Sequence, residues 1–254
     1  MKYTAILLAG SRPGRDHFAA QFGTDMKALI AIAGEPMVRR PVRALLASSS
    51  IAQVIILSQA PERISAVIPK DPRVSFGRSS ATIAETLLEI MEHPETRWPL
   101  LVTTADHALL DPDTVDEFAW KSAGSDVAIG VVAKEKLLER LPETERTWLK
   151  FRGGAYTGAN LFALGSPAVR PAILLWRSVE QDRKKAWRVV LALGPLVMVL
   201  AALKLLSIGQ VLDRLGKRLG LEVKAVCLSN PLAGVDVDKP CDHSLTEAIL
   251  KGRA

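Results

Sequence analysis

The sequence predicts an α/β fold in which helices cover both faces of an open, mostly parallel sheet. Strand-like apolar runs alternate with amphipathic helix patterns along the chain, as in parallel α/β folds. The first run, residues 3–9 (YTAILLA), is apolar throughout, as expected for a strand that is buried on both faces. The 254 residues contain no linker-like stretch and no internal repeat, so we predict a single domain over residues 1–254.

The remaining strand candidates are short apolar runs between the helix patterns. They comprise residues 53–58 (QVIILS), 74–76, 100–104 (LLVTT), 126–132 (DVAIGVV), 160–164 (NLFAL) and 224–228. In an open parallel sheet, ligands bind beyond the carboxyl ends of the strands. The residues that directly follow these runs are therefore the first candidates for a functional site.

Helices in the first half of the chain are predicted by their start signals. Residues 37–47 fit a helix, and Thr82 with Glu85 three residues later forms a capping-box pattern. Asp111 is a favourable N-cap, and Pro112 suits the first turn of the helix that follows. These signals place helices after the first, third and fourth strand candidates, as strand–helix alternation requires.

Two further helices are predicted near the end of the chain. Ser207 and Gln210 form another capping-box pattern, and Gly220 is placed to end the helix that they open. Ser244 and Glu247 predict the start of the final helix by the same spacing. The last strand candidate lies between these two helices.

The most apolar stretch, residues 189–203 (VVLALGPLVMVLAAL), carries no charge and follows the mixed charge run 180–188. As one helix it would span about 22 Å, less than the roughly 30 Å of a bilayer's hydrocarbon core. Pro195 would also break or kink such a helix. We interpret the segment of about residues 186–206 as buried helical pieces; peripheral membrane contact and a true span are the alternatives.

Composition and charge narrow the functional classes. The formal net charge of +6 suits a partner that carries phosphate. Aromatic residues make up only 5% of the chain and no stacking motif is present, so we do not expect nucleic acid as a partner. Only two cysteines (Cys227 and Cys241) and no recognisable targeting segment indicate a reducing compartment and a cytoplasmic location.

The segment after the first strand candidate is a candidate phosphate-binding loop. Residues 8–15 read LAGSRPGR, in which glycines allow backbone N–H groups to approach a phosphate closely. Arg12 and Arg15 add charged donors. The segment matches neither the Walker A pattern nor the dinucleotide fingerprint, which argues against an NAD-dependent oxidoreductase. A simple tight turn is the alternative.

Aspartates at two places in the chain suggest a cation site. Asp106 follows strand candidate 100–104, where a carboxylate would face the crevice at the sheet edge; capping a turn is its alternative role. In the VDVD segment, Asp236 and Asp238 point to the same side of an extended chain and repel each other unless a cation lies between them. Oxygen ligands of this kind favour Mg²⁺ over Zn²⁺. His107 is interpreted as a structural histidine.

These pieces, in this order, resemble the MobA-like NTP transferases, the molybdenum cofactor guanylyltransferase-like group of nucleotidyltransferases. The matching pieces are LAGSRPGR at 8–15, Lys27 before an apolar run, AGEPM at 33–37, Asp106, and DKPCD at 238–242. The resemblance runs from Ala5 to about Leu250. It implies a single Rossmann-like sheet of the nucleotide-diphospho-sugar transferase type, with the glycosyltransferase-A type fold.

The resemblance also implies which residues bind the nucleotide and the metal. Arg15 would contact the β- and γ-phosphates and Lys27 the α-phosphate, with Asp106 as the third catalytic residue. Asp106 and Asp238 would hold Mg²⁺. The implied nucleotide-binding residues are Leu8, Ala9, Gly10, Ser11, Arg12, Gly14, Ser79 and Ser80. Ser11 replaces the family's second glycine, and the gap between Arg15 and Lys27 is longer than in the family.

An acceptor-side insert is predicted over about residues 140–160. The candidate acceptor-binding residues are Arg146, Lys150, Arg152, Gly158 and Asn160. The three cations could meet an acceptor phosphate, or they belong to a basic surface hairpin. The glycine and the asparagine are included because the resemblance places them where the superfamily contacts its acceptor.

The residues and the resemblance predict an Mg²⁺-dependent nucleotidyltransferase of the EC 2.7.7 type. It would transfer a nucleoside monophosphate from an NTP to a phosphorylated or cofactor acceptor and release pyrophosphate. No nucleophilic serine or cysteine is needed, because positioning and positive charge supply most of the catalysis of phosphoryl transfer. The alternative is a catalytically inactive nucleotide-binding or membrane-associated partner protein on the same fold.

Overall fold

The computed structural model describes residues 2–10, 14, 16–180 and 205–253. Within these ranges the chain forms ten β-strands and nine α-helices. Four residues of the predicted phosphate loop, Ser11, Arg12, Pro13 and Arg15, lie outside the described residues. The apolar segment 189–203 lies outside them as well.

A central sheet and a small ribbon contain all the strands of the described ranges. The strands are β1 (Tyr3–Leu8), β2 (Ala31–Ile32), β3 (Glu35–Pro36), β4 (Ile51–Ser58), β5 (Val74–Arg78), β6 (Leu100–Thr104), β7 (Val127–Ala133), β8 (Leu149–Phe151), β9 (Gly154–Leu164) and β10 (Val223–Cys227). The central sheet has the order β10–β7–β9–β6–β1–β4–β5, and β8 pairs with β9. β2 and β3 form the separate antiparallel ribbon.

The strand pairing confirms the predicted open, mostly parallel sheet. β4 and β6 flank β1 in parallel, β5 is parallel to β4, and β10 is parallel to β7. β9 runs antiparallel to both of its neighbours, β6 and β7. The predicted strand 160–164 is therefore only the carboxyl half of β9, and the β8–β9 hairpin brings this strand into the sheet in the reverse direction.

Helices cover both faces of the sheet, as predicted. They are α1 (His17–Ala20), α2 (Arg39–Ala47), α3 (Pro61–Ser65), α4 (Ile83–Glu92), α5 (Pro112–Ser122), α6 (Lys134–Arg140), α7 (Arg170–Glu180), α8 (Ile208–Leu219) and α9 (Pro240–Leu250). Alternate strand side chains divide the core into two apolar layers. One layer includes Leu45 of α2 and Phe118 of α5, and the other includes Leu87 of α4 and Ile173 of α7.

Capping signals place three helices where the sequence predicts them. The side chain of Thr82 accepts from the backbone N–H three residues later at 3.2 Å, and Asp111 accepts in the same way at 2.6 Å. Ser207 and Gln210 form the capping box of α8. Gly220 ends α8 with a φ of +69°, a left-handed conformation that favours glycine.

The predicted start of the last helix is wrong. α9 begins at Pro240, because proline suits the first helical turn, and Ser244 lies inside the helix. The carboxylate of Glu247 accepts from the backbone N–H of Ala33 at 2.8 Å, so it connects α9 to the β2–β3 ribbon instead of capping its own helix. The helix predicted over residues 37–47 begins two residues later than expected, at Arg39.

No helix in the described ranges is long and apolar enough to cross a membrane. The segment 189–203, on which the membrane alternatives depend, is not part of those ranges. Cys227 and Cys241 are both free thiols at the surface.

Asp116 connects α5 to the serine turn 48–50, which lies between α2 and β4. Its carboxylate accepts from Ser48 Oγ at 2.5 Å and from the backbone N–H groups of Ser49 and Ser50 at 3.2 and 2.9 Å. Burial raises the pKa of Asp116, but these hydrogen bonds outweigh it and lower the pKa from 3.8 to about 2. The native state therefore stabilises the ionised carboxylate.

We expect Asp116→Asn to lower the midpoint of thermal unfolding by about 2–6 °C, because an amide cannot accept all of these hydrogen bonds. The native pKa lies below the unfolded one, so the stabilisation is complete above about pH 4 and is lost as the pH falls through about 2. Calorimetry at decreasing pH should show the deficit of the variant shrinking. Asp113→Asn, on the exposed side of the same helix, is the control; an equal loss there would contradict this role.

Candidate active site

The strand order creates a crevice between β1 and β6. The chain leaves β1 for β4 and β5 on one side and then returns to β6 on the other side. In open α/β sheets, this switch point beyond the carboxyl ends of the strands is where ligands bind. A cavity of about 630 Å³ opens there, a volume within the range of small-molecule sites.

One half of the cavity is formed by the loops after β1, β4 and β5 and by the start of α4. Four of the predicted nucleotide-binding residues line it, namely Leu8, Gly10, Ser79 and Ser80. A Cβ at Gly10 would lie 2.9 Å from the amide of Gln59 and 3.2 Å from Ser79 Oγ, so glycine keeps this space open. Ser79 Oγ is buried and has no hydrogen-bond partner among the described residues.

The other predicted nucleotide-binding residues have different positions. Ala9 is buried and does not line the cavity, and its backbone N–H donates to the Leu57 carbonyl oxygen at 2.8 Å. Gly14, with a φ of +104°, borders a neighbouring hollow of about 440 Å³. Asp16 lines both spaces and caps α1, since its carboxylate accepts from two backbone N–H groups at 3.0 Å each. The structure thus brings part of this set together.

Three predicted site residues meet in the opposite half of the cavity. Lys27 begins a 3₁₀ turn after α1, Asp106 follows β6, and Asp238 precedes α9. The Nζ of Lys27 donates to Asp106 Oδ2 at 2.6 Å and also to Asp238 Oδ1. Side chains that lie 79 and 211 positions from Lys27 in the chain therefore share its ammonium group.

The two carboxylates keep Lys27 charged. Burial lowers the pKa of Lys27, but the charges of Asp106 and Asp238 outweigh this effect and raise the pKa above its usual value of 10.5. The lysine is therefore an ammonium ion throughout the neutral pH range. Its side chain is 19% exposed and that of Asp238 is 62% exposed, so a substrate can reach the pair from solvent.

The same two carboxylates fit a hard divalent cation. Oxygens of Asp106 and Asp238 converge on the Lys27 ammonium, so a divalent cation bound by both carboxylates would displace the ammonium from this point. Mg²⁺ is commonly held by one or two carboxylates together with substrate phosphates. Within the described ranges, no group of three or more His, Cys, Asp or Glu side chains is placed to hold a metal by itself.

Residues 236–242, called the acidic loop from here on, are held by two residues of segment 140–160, the predicted acceptor-side insert. Arg146 donates to the carboxylate and carbonyl of Asp236 and, at 3.1 Å, to Asp242 Oδ1. Asn160 has a φ of +47° and directs its side-chain amide to Asp236 Oδ2 at 3.4 Å. Burial and the charge of Asp238 raise the pKa of Asp236, and the charge of Arg146 opposes them.

The remaining predicted acceptor residues lie away from this network. Lys150 is exposed on β8, and Gly158 is exposed on β9. The Arg152 side chain donates to Gln210 Oε1 at 3.3 Å. None of the five predicted acceptor residues belongs to the lining of the cavity described above.

His107 directly follows Asp106 but is buried, with 1% of its surface exposed. Its Nδ1 lies 3.5 Å from Thr103 Oγ1. Burial lowers the pKa of His107 to about 4, so the imidazole is neutral near pH 7. These properties agree with the structural role that the sequence analysis expects.

Gln59 and Glu180 are among the polar cavity-lining residues that the sequence analysis did not select as site residues. Gln59 follows β4 as Asp106 follows β6, so the strand-end rule would have found it. Glu180 has no local signal, because it lies at the end of α7 and acts on a distant helix. Its carboxylate accepts from the backbone N–H groups of Ile83 and Ala84, at 3.1 and 3.0 Å, at the start of α4.

A cavity beyond the carboxyl ends of parallel strands, lined by an ammonium and two carboxylates, is typical of an α/β protein that binds a phosphorylated ligand. Comparison with protein families gives the particular kind: residues 5–206 match the MobA-like NTP transferase domain. The chain belongs to this family, as the sequence resemblance predicts, and is a nucleotidyltransferase. A comparison with curated proteins finds no match.

Solved structures share this fold over nearly the whole chain. A hypothetical transferase from Thermus thermophilus is 29% identical, with a TM-score of 0.79 over 96% of this chain and 100% of its own. CMP:2-keto-3-deoxy-manno-octonic acid synthetase, solved with CTP, is 14% identical, with a TM-score of 0.59 over 99% and 100%. 2-C-methyl-D-erythritol 4-phosphate cytidylyltransferase, also from Thermus thermophilus, is 15% identical, with a TM-score of 0.53 over 99% of this chain and 100% of its own. The last two likenesses concern the fold alone.

Proposed function

We propose that the protein transfers a nucleoside monophosphate from an NTP to a phosphorylated or cofactor acceptor and releases pyrophosphate. The observation that carries this proposal is the Lys27 ammonium held between Asp106 and Asp238 at the cavity. A fixed positive charge beside two candidate metal ligands is what the transfer of a phosphoryl group needs. A structural neighbour solved with CTP supports a triphosphate as the ligand of this fold.

The charges of the cavity favour one orientation of the nucleotide. The carboxylate of Glu180 would repel phosphates from the half next to α4, whereas Lys27, together with Mg²⁺ bound by Asp106 and Asp238, would attract them to the other half. The base therefore belongs beside Gln59 and Ser79, and the buried Ser79 hydroxyl without a partner supports this position. Arg15 stays a proposed ligand of the β- and γ-phosphates, together with the rest of the loop.

The proposed reaction is an in-line substitution at the α-phosphorus. An acceptor phosphate oxygen forms the new bond, while the bond from the α-phosphorus to the oxygen that bridges to the β-phosphate breaks. Pyrophosphate leaves with that electron pair. Lys27 would offset the charge that develops on the α-phosphate oxygens. Asp106 and Asp238 would hold Mg²⁺, which supplies further positive charge to phosphate oxygens when it is bound.

The acceptor is proposed to approach from the side of β8 and β9. Lys150, Arg152 and Gly158 lie there, and the exposed ammonium of Lys150 suits an anionic acceptor. We place the reaction in the cytoplasm, a proposal that the two free thiols support. Peripheral membrane contact through residues 186–206 is a further proposal, and it depends on residues outside the described ranges.

Pyrophosphate release tests the proposed function directly. The purified protein is assayed with each of the four NTPs, with and without Mg²⁺, against molybdopterin, sugar 1-phosphates and polyol phosphates. We expect release with one combination of NTP and acceptor, and only when Mg²⁺ is present. No pyrophosphate release with any combination, together with NTP binding in calorimetry, would identify an inactive nucleotide-binding protein. No release and no NTP binding would contradict both the transferase and the nucleotide-binding function.

A further inference from the structure

Arg146 reaches from the acceptor-side insert into the acidic loop. Its side chain is only 8% exposed. It donates to the carboxylate of Asp236, to the carbonyl oxygen of Asp236 at 3.2 and 3.3 Å, and to Asp242 Oδ1 at 3.1 Å. Because removing one partner leaves a buried charge unpaired, such an arrangement is costly to break. The guanidinium is therefore committed to this loop in the nucleotide-free protein.

Asp242 links Arg146 to the backbone of Asp238. Its other oxygen, Oδ2, accepts from the backbone N–H groups of Asp238 and Lys239, both at 3.1 Å. Asp242 is itself 4% exposed, so its carboxylate also needs a partner of opposite charge. The ion pair with Arg146 therefore fixes the backbone position of Asp238.

The acidic loop is also hydrogen-bonded to the backbone of Asp106, the carboxylate residue that it faces. The backbone N–H of Val237 donates to the carbonyl oxygen of Asp106 at 3.1 Å, and Val237 is fully buried. Arg146 offsets the charge of Asp236, which would otherwise repel the neighbouring Asp238. The separation of the two candidate metal ligands thus depends on this backbone bond and on Arg146, in addition to the Lys27 ammonium that both carboxylates share.

We propose that Arg146 is a positioning residue, which holds the acidic loop so that Asp238 meets Lys27 and Asp106. In this role Arg146 acts through Asp236 and Asp242 and does not contact the acceptor, contrary to the expectation from the sequence. The kinetic part of the inference rests on the proposed nucleotidyl transfer, whereas its structural part does not.

Hydrogen–deuterium exchange in the nucleotide-free protein tests the structural part. In Arg146→Met, we expect the amides of Asp238 and Lys239 to exchange at least about tenfold faster than in the parent protein. Arg170→Met is the matched control, because Arg170 forms an exposed ion pair with Glu92 at 2.9 Å. The control should leave these two amides unchanged. Unchanged exchange in Arg146→Met would overturn the inference.

A second set of variants keeps the test decisive if Arg146→Met does not fold. Arg146→Lys keeps the charge but loses the forked donor geometry, and Asp242→Asn keeps the size of the side chain. Both should accelerate exchange at the same amides while thermal unfolding remains cooperative. If Arg146→Lys folds and does not accelerate exchange, the inference is overturned, whatever the result for Asp242→Asn, because Asp242 accepts from these amides directly.

The kinetic part separates positioning from acceptor binding. We expect Arg146→Met to lower kcat for pyrophosphate release by about 10²-fold and to change the acceptor KM by less than about twofold. A raised acceptor KM at unchanged kcat would make Arg146 an acceptor-binding residue and overturn the inference, with the proposed function intact. Absence of release from the parent protein would instead overturn the proposed function, and the exchange experiment would still decide the role of Arg146.

Discussion

Lys27→Ala should lower kcat for pyrophosphate release by about 10²–10³-fold, the usual effect of removing one donor that stabilises transition-state charge. Lys27 is the ammonium that the two carboxylates hold at the cavity, and alanine leaves the α-phosphate without this charge. NTP binding, measured by calorimetry, should weaken less than kcat falls, because the charge on the α-phosphate grows in the transition state.

An exposed ion pair on α8 supplies the control for this prediction. Lys217 contacts Asp213 at 2.9 Å, with side chains that are 75% and 60% exposed. Lys217→Ala removes the same side chain from a surface site and should leave kcat unchanged. Full activity of Lys27→Ala would show that the site has been assigned to the wrong residues.

Asp106→Asn should lower kcat by at least about 10²-fold and raise the Mg²⁺ concentration that gives half-maximal activity, since an amide is a poorer ligand for a hard cation. The fold should survive, because asparagine matches the size of aspartate and can still bond Thr104 and Lys27, the partners of Asp106. A thermal unfolding curve of the variant checks this point. Asp213→Asn is the matched control.

The double variant Lys27→Ala/Asp106→Asn distinguishes a shared role from two independent ones. Residues that act as one unit give strongly non-additive effects. We therefore expect the double variant to lose less activity than the product of the two single losses. Strict additivity would contradict the view that Lys27 and Asp106 act on the same phosphate.

Local sequence signals were sufficient to predict those helices and strands that are determined by the residues of a single segment. The apolar run at 100–104 has the same bounds as β6, and the N-caps Asp111 and Ser207 open helices as predicted. The strand-end rule also places Asp106 at the cavity, because the carboxyl ends of parallel strands meet at one edge of the sheet. In this case, the position of a residue directly after a strand in the sequence is enough to place it at the ligand-binding edge of the sheet.

Features that depend on distant partners could not be predicted in this way. The direction of β9 is set by the edges of β6 and β7, since a strand has the same local pattern in either direction. Arg146 is a cation in a basic segment, and its burial against carboxylates 90 and 96 positions away leaves no mark on the neighbouring sequence. The contact of Glu180, at the end of α7, with the start of α4 is a third case of the same kind.

β9 joins the two parts of the central sheet, and it is synthesised after every other strand of that sheet except β10. Until residues 154–164 leave the ribosome, one edge of β6 is unpaired, and β7 has no connection to the strands that precede it. Open strand edges are templates for incorrect pairing, and contacts between distant parts of a chain form slowly. A nascent chain that stops before Gly154 should therefore aggregate and not yield a smaller nucleotide-binding fragment. The strand that carries the proposed acceptor residues Gly158 and Asn160 is therefore also the strand that joins β10 and β7 to the rest of the central sheet.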